Sequence, residues 1–332
     1  MKLTVVIPVR DETATVASLL DSLIDQTLTP DEIVVVDGGS TDDTRDIVQQ
    51  YARIHPRIRL LCDENAFPGR GRNLGAASAS NEWLAFTDAG VIPAKDWLAQ
   101  LSEPLDRDPS FDVVYGGWEP VTDTFFKECA AIAYARVPAK RSHQSFVEAR
   151  AVFSSIVRRS VWEQVDGFPE DLRSAEDIVF MNRIDDAGFR TAYAPQAIVN
   201  WNMQPDWGRT FSRFVTYSRH NMRAGLWKRW QARVLLRYLI LLLCSVAVVA
   251  ATKWWPIIVT ALFAMMFIAR AVIAVWRNRD TYPASLMRNA GRVITICLLL
   301  IVIDSATLLG VLLWLIGDRL NGVGGSPSLS NN

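Results

Sequence analysis

The chain has 332 residues, half of them hydrophobic, with 35 basic and 35 acidic side chains that cancel to a formal net charge of zero. That balance excludes the overall basic excess of a nucleic-acid binder, and the length accommodates one sizeable α/β domain plus a smaller unit. The average hides a split, because residues 1–204 hold 20 basic and 31 acidic side chains whereas residues 205–332 hold 15 and 4. The carboxyl-terminal part therefore faces something anionic, for which phospholipid is the ordinary candidate. Cys62, Cys129, Cys244 and Cys297 show neither CxxC nor metal spacing, which fits a reducing, cytosolic setting.

The opening MKLTVVIPVRDE has a short apolar run that breaks at Pro8 and meets charge at once. It reads as a buried strand over Leu3 to Val9, not as a signal peptide. Val16, Leu19, Leu20, Leu23 and Ile24 then recur at helical spacing. The alternation continues with a strand from Glu32 to Val36, a helix from Thr44 to Tyr51, a strand from Ile58 to Leu61, a helix from Gly71 to Ala79 and a strand from Trp83 to Thr87. Such alternation predicts a parallel sheet that binds ligands at the carboxyl ends of its strands. A further strand is predicted from Asp112 to Tyr115, followed by an irregular stretch to about Phe153 in which Phe125 to Arg136 reads as a helix able to rest on a membrane surface.

Three apolar segments follow, 234–252, 255–276 and 293–316, each close to the ~20 residues a helix needs to cross a bilayer. Lys228, Arg229, Arg233 and Arg237 flank or enter the first, and Arg277, Arg279, Arg288 and Arg292 lie between the second and third. By the positive-inside bias these face the cytoplasm, leaving the carboxyl terminus outside. The first two segments are joined by very few residues, so a re-entrant hairpin is the alternative. Asp304 lies deep in the third segment, where a lone carboxylate is costly, and Arg270 is the basic residue well inside another. An ion pair between them is expected, the rival being a snorkelling Arg270 and an Asp304 that meets another subunit or a lipid. The last residues, 317–332, read as a disordered tail.

Three carboxylate motifs punctuate the α/β part: Asp37 in VVVDGGSTDDT, Asp88 in LAFTDAG, and Glu176 with Asp177 in SAEDIVF. Each has a plain structural reading as well, Asp37 as a turn or cap residue and the Glu-Asp pair as favourable charge in a first helical turn. Arg70 and Arg72 in PGRGRNLGAASAS lie just before and at the start of a helix. Guanidinium groups and free amides there can meet a diphosphate together, or simply form a solvated basic face. No GxGxxG follows the first strand, which disfavours a dinucleotide oxidoreductase. His55, His143 and His220 form no local metal motif.

Taken together, PVRDE, DGGSTDDT, TDAG and GFPEDLRSAEDIVFMNRIDDAGFRTAYAP resemble the family 2 glycosyltransferases of the GT-A fold, over nearly the whole chain up to about residue 225. The resemblance implies an α/β, Rossmann-like nucleotide-diphospho-sugar transferase domain over 1–230, followed by a membrane domain over 234–316. It places Pro8, Val9, Arg10, Asp11 and Glu12 at the nucleoside and Asp37 at the base edge. Arg70 and Arg72 fall at the diphosphate, and Asp88-Ala89-Gly90 at the Asp-x-Asp position that holds ribose and a divalent cation. Gly38 and Gly90 each stand where the family has an acid. Mg²⁺ or Mn²⁺ is thus implied with Asp88 as the remaining carboxylate, and metal dependence stays open.

Asp177 takes the place of the base that deprotonates the acceptor in inverting members, with Glu176 orienting it or binding acceptor. WGRTFSRFVTYSRHNMRAGLW lacks the Gln-x-x-Arg-Trp signature of processive members. Arg213, Tyr217 and Arg219 there suit an anionic acceptor head, the departing diphosphate or lipid phosphate. The expectation is an inverting transferase that uses a nucleotide-sugar donor and a lipid-linked or other glycan acceptor. It would sit in the cytoplasmic (inner) membrane with its catalytic domain in the cytoplasm. A catalytically silent sugar-nucleotide sensor or scaffold is the alternative, and a processive polysaccharide synthase a lesser one.

Overall fold

A computed structural model describes residues 1–135, 150–228 and 230–320. The chain divides into two compact units, Met1–Val121 with Arg136–Asn202, and Thr122–Ala135 with Met203–Asn332.

The first unit is built on eight strands: β1 Leu3–Val9, β2 Glu32–Asp37, β3 Ile58–Cys62, β4 Trp83–Phe86, β5 Val91–Pro93, β6 Val113–Val121, β7 Ser155–Arg158 and β8 Thr191–Asn202. They form one sheet in the order β3-β2-β1-β4-β7-β6-β8-β5. The first four run parallel, as the strand–helix alternation predicts. Beyond β4 the alternation gives no guide: β7 runs antiparallel to both β4 and β6, while β6 and β8 are parallel. The sheet is therefore mixed, not parallel throughout.

Helices α1 Val16–Ile24, α2 Thr44–Ile54, α3 Pro68–Ser78 and α4 Trp97–Arg107 follow in turn; α5 belongs to the second unit, and α6 Arg159–Gln164 and α7 Glu176–Asp186 complete the first. β1 is apolar almost throughout because both its faces are covered. Val5 and Ile7 join Leu19, Leu20 and Leu23 of α1 in one core cluster, whereas Val6 joins Ala76 of α3 and Phe86 in another. The period-two alternation of a strand makes that division. Pro68 opens α3 at a position where its missing N–H is no loss.

The turn after β2 explains one of the two glycines found in place of an acid. A Cβ at Gly38 would stand 2.5 Å from the Ala66 carbonyl oxygen, so the segment leading into α3 leaves no room for any side chain. At Gly90 nothing lies within 4 Å of the corresponding position. Packing thus dictates glycine at Gly38 and does not at Gly90.

The second unit comprises α5 Phe125–Tyr134, α8 Trp207–Arg223, α9 Gln231–Ala251, α10 Trp255–Arg277 and α11 Leu286–Leu313, the last running into a π-helical turn Trp314–Arg319. Three of its helices are long and apolar enough to cross a membrane, with mean hydropathies of 2.5, 2.4 and 2.6. α9 and α10 turn Leu236, Leu239, Leu243, Ile257 and Met265 outward, as helices do in an apolar solvent. The third begins at Leu286, earlier than the apolar run suggests, because Arg288 and Arg292 in its first turns are both held by Glu128 of α5. Its far end is ordered too. Asp318 is buried and accepts two hydrogen bonds from Arg219 of α8, at 2.9 and 2.8 Å. Residues 317–320, expected in a tail, are thus part of the fold, and 321–332 lie outside the described residues.

Between these ends α8 lies close along α11. A Cβ on Gly310 would come within 2.6 Å of the Val215 carbonyl oxygen, and the Ser218 hydroxyl donates to the Thr307 carbonyl at 2.7 Å. The anticipated Arg270–Asp304 pair is present. Both guanidinium nitrogens of Arg270 donate to Asp304, at 2.5 and 3.0 Å, and Arg237 reaches the same carboxylate at 3.4 Å.

The contrast between the two glycines gives a direct test. Gly38→Ala should lower stability by roughly 1–3 kcal/mol through overpacking, whereas Gly90→Ala should stay within about 0.5 kcal/mol. Thermal melting of the two variants in detergent checks both, and equal melting temperatures would contradict the packing argument.

Candidate active site

The carboxyl ends of β1 and β2 make one laced cup. Asp11, in the left-handed region at φ 54°, accepts from the Thr41 amide at 2.8 Å, while its own amide donates to the Ser40 hydroxyl at 3.0 Å. An Asp tolerates that backbone better than most residues, and one oxygen of its side chain helps to hold the turn by accepting from both the amide and the hydroxyl of Thr41. The Glu12 amide donates to Thr44 at 2.7 Å, and the Glu12 carboxylate accepts from Thr15 at the same distance. Arg10 stays exposed. Val9 closes the cup by accepting from the Gly38 amide at 2.9 Å, and Pro8 packs toward Gly71 of α3.

Asp37 is fully buried at the end of β2. Arg45, in the first turn of α2, donates to it at 3.0 and 2.7 Å and also reaches Glu64 at 2.8 Å. Burial alone would raise the Asp37 pKa, but hydrogen bonds from Ser40 and Arg45 outweigh it and hold the carboxyl below its ordinary value. Arg45 was not among the residues expected here. Its signal was available: a basic residue eight positions after the strand-end acid, on the first turn of the next helix. As found, Asp37 offers no exposed atom to a base.

Arg72 organises the rest. Its side chain is 3% exposed. One terminal nitrogen donates to Glu176 at 2.7 Å and the other to Asp88 at 2.5 Å, and the guanidinium lies 5.4 Å from the Phe168 ring centroid. Phe168 in turn stacks on Phe180 of α7 at 3.9 Å and meets Phe86 of β4 edge-on at 5.3 Å. Asn73, the next residue of α3, holds the Phe168 backbone from both sides, donating to its carbonyl and accepting from its amide at 2.9 Å each. The Gly-Phe-Pro turn is thus the seat of Arg72. Burial works against the Arg72 charge, but Asp88 and Glu176 outweigh it and keep its pKa above the ordinary value.

Glu176 and Asp177 open α7 after Ala175, which takes a left-handed conformation at φ 73°. Glu176 is buried, and Asp177 is half-buried and accepts from the Ile178 amide at 2.8 Å. Desolvation by burial pushes the Glu176 carboxyl up to about 7, against the pull of Arg72 and with the help of Asp177 beside it. Three buried polar atoms here have no hydrogen-bond partner: Arg72 Nε, Glu176 Oε2 and Thr87 Oγ1. In a site meant for a polar ligand such atoms are unsurprising.

Arg72, expected at a diphosphate, is covered by the protein's own carboxylates. Arg70 is exposed, but it too is engaged, by Asp63 at 2.7 Å and Glu170 at 3.0 Å. Asp88 is half-buried, and buried Ala89 and half-buried Gly90 follow it. Among the described residues no group of three or more His, Cys, Asp or Glu side chains gathers as a metal cage. In the second unit Arg213 donates to the Tyr217 hydroxyl at 2.7 Å, and Arg219 belongs to the Asp318 pair.

The raised Glu176 pKa carries a stability consequence. An unfolded Glu loses its proton near 4.5, whereas the folded one keeps it to about 7. Between those values the folded state binds the extra proton, so stability falls as pH rises through the window and levels off above it. Glu176→Gln should remove that slope, which is at most about 1.4 kcal/mol per pH unit. Melting temperatures of both proteins from pH 4 to 8 check it, and parallel curves would contradict it.

The family model described as glycosyl transferase family 2 matches residues 4–148. Among curated proteins the chain is similar to the glycosyltransferase AglE of Haloferax volcanii, 28% identical over 58% of this chain and 64% of that protein. It is also similar to the O-antigen chain rhamnosyltransferase RfbN of Salmonella typhimurium, 27% identical over 66% of this chain and 73% of that one. Among solved structures it shares a fold with the mannosyltransferase PcManGT of Pyrobaculum calidifontis in complex with GDP-Man and Mn²⁺. That likeness has a TM-score of 0.55 at 20% identity, covering 95% of this chain and 87% of that one. Residues 4–148 thus match the glycosyl transferase family 2 model, and the mixed sheet that carries them has the α/β, GT-A-like fold of a glycosyltransferase domain.

Proposed function

We propose that the chain transfers a glycosyl group, with inversion, from a nucleoside diphosphate sugar to a glycan or lipid-linked acceptor presented at a membrane. The observation that carries this reading is the buried Arg72 bridge, which joins Asp88 of the donor motif to Glu176 of the base motif. Asp177, half-buried beside Glu176, is the group that takes the proton from the acceptor hydroxyl. The freed oxygen attacks the anomeric carbon from the face opposite the nucleotide, and the bond to the diphosphate oxygen breaks as the new one forms. Glu176, held by Arg72, fixes the first turn of α7 and so the position of Asp177. The cup of Pro8, Val9, Arg10 and Glu12 receives the nucleoside. Arg70, exposed and on the surface of α3, reaches the diphosphate by exchanging a carboxylate partner for a phosphate.

A silent scaffold is the second reading, favoured by the closure of Asp37 under Arg45. Against it, the missing acid at Gly38 has a packing cause and is no sign of decay. Asp177→Asn separates the two readings. It should lower turnover of labelled nucleotide sugar by ~100 to 10,000-fold with nucleotide affinity nearly unchanged, because the amide keeps the shape but accepts no proton. Turnover above about a tenth of wild type would remove Asp177 from that role.

Asp88 and Asp177 act on a single guanidinium, and Glu176 adds a third negative charge as it loses its proton near 7, so the site carries an excess of negative charge that repels a bare diphosphate. A divalent cation such as Mg²⁺ or Mn²⁺, bound together with the donor, would offset this repulsion, and Asp88 is the carboxylate of the donor motif that would hold it. Calorimetry should therefore find metal binding only in the presence of a nucleoside diphosphate. Gly90→Asp, which has open space to occupy, should tighten it. Tight binding of metal to the nucleotide-free wild type would contradict the proposal.

In this reading the first unit lies on the cytoplasmic side of the inner membrane, which the basic residues at the near ends of α9 and α10 support through the positive-inside bias. Reporters inserted between Arg279 and Leu286 and fused after Asn332 should then fall on opposite sides. A cytoplasmic carboxyl terminus would favour a re-entrant α9–α10 hairpin.

A further inference from the structure

We propose that Arg237, with Arg270 and Asp304, forms a binding site for the phosphate of an anionic membrane lipid between the first two long helices. The inference rests on reading α9, α10 and α11 as membrane-embedded. Its basis is charge. One carboxylate, Asp304, 1% exposed, stands against two guanidinium groups. Arg270 takes it bidentately, at 2.5 and 3.0 Å. Arg237 makes one long contact at 3.4 Å, its side chain is 34% exposed, and its Nε is buried without a hydrogen-bond partner. The cluster therefore carries one positive charge more than it neutralises, within helices whose neighbouring surface is Leu, Ile and Val.

An uncompensated cation at that depth is expensive, and an Arg keeps its favourable hydrogen bonds only by finding an anion or reaching water. Depth selects the anion. Arg237 lies six residues into α9 and Arg270 seven residues before the end of α10, so both stand ~10 Å from the helix ends at the rise of an α-helix. A guanidinium at that level can extend to the phosphate of a lipid headgroup, whose oxygens match its paired N–H donors. Arg233, one turn nearer the start of α9 and exposed, and Arg277 at the end of α10 extend the basic track toward the surface. Asp304 then has two tasks: it joins α10 to α11, and by engaging Arg270 it leaves Arg237 as the group that meets the ligand.

The test uses the full chain in detergent, titrated with phosphatidylglycerol or phosphatidylcholine and read as bound lipid by native mass spectrometry. The wild type should hold phosphatidylglycerol at least about tenfold more tightly than phosphatidylcholine, a difference of about 1.4 kcal/mol. Arg237→Gln should lose most of that preference, and Asp304→Asn, which uncovers the second guanidinium, should increase it. The opposite signs distinguish a phosphate site from a general loss of structure.

Inorganic phosphate at the same concentration should not displace the lipid. Displacement would assign the site to a free phosphate and overturn the lipid assignment. If Arg237→Gln does not fold, the wild type decides alone, since equal retention of the two lipids overturns the proposal. A chain that stays monodisperse without detergent would refute the membrane reading itself. A chain that needs detergent but shows no headgroup preference would refute only the phosphate site.

Discussion

A buried guanidinium held between two carboxylates from distant parts of the chain is the constraint on which the first unit depends. Arg72 comes from α3, Asp88 from the end of β4 and Glu176 from the start of α7, and the three meet within 2.7 Å contacts. Removing one member of such a group leaves an unpaired buried charge, which typically costs several kcal/mol. The surroundings are arranged to keep the group together. Phe168 offers the guanidinium an aromatic face, Phe180 backs Phe168, and Asn73 fastens the same turn to α3. A motif that looks like a loop signature in sequence, Gly-Phe-Pro, is physically the floor beneath an ion network.

The second unit uses the same device among helices long and apolar enough to cross a membrane. Glu128 gathers Arg288 and Arg292, Asp318 takes Arg219, and Asp304 takes Arg270 with Arg237 at its edge. Each fixes the alignment of its elements by charge and hydrogen-bond geometry, which apolar contact between smooth Leu and Ile faces does not. Close backbone approach at Gly310 adds van der Waals packing where α8 meets α11. The helices that lack such ties along most of their length, α9 and α10, are the ones that expose most of their apolar surface.

Much of this was legible in the sequence because it rests on local periodicity. β1 and α1 have the bounds read from their apolar spacing, and the parallel half of the sheet followed from the alternation of strands and helices. β7 and the mixed pairing beyond β4 were not legible, because that pairing is decided by contacts between residues far apart in the chain. The acids at strand ends stood out by position, and the Arg270–Asp304 pair by the cost of a lone carboxylate among apolar residues. Side-chain partners were the blind spot. Arg72 and Arg70 looked like phosphate ligands because they open a helix, and nothing local revealed that Glu176, 104 positions further on, would claim the first. Arg45 escaped notice for the same reason, since its role depends on a β2 acid being buried. The two glycines that replace acids looked alike in sequence and differ in space, one pressed against the Ala66 carbonyl and the other open.

The most direct measurement is the melting temperature of nucleotide-free protein carrying Arg72→Gln, alone and together with Glu176→Gln. If Arg72 is the internal bridge, the single change should destabilise the empty protein by roughly 3–5 kcal/mol. The second change, which removes one of the stranded carboxylates, should restore part of the loss. An Arg72→Gln protein that melts like the wild type but has lost affinity for nucleoside diphosphate would contradict the account and make Arg72 a ligand of the donor.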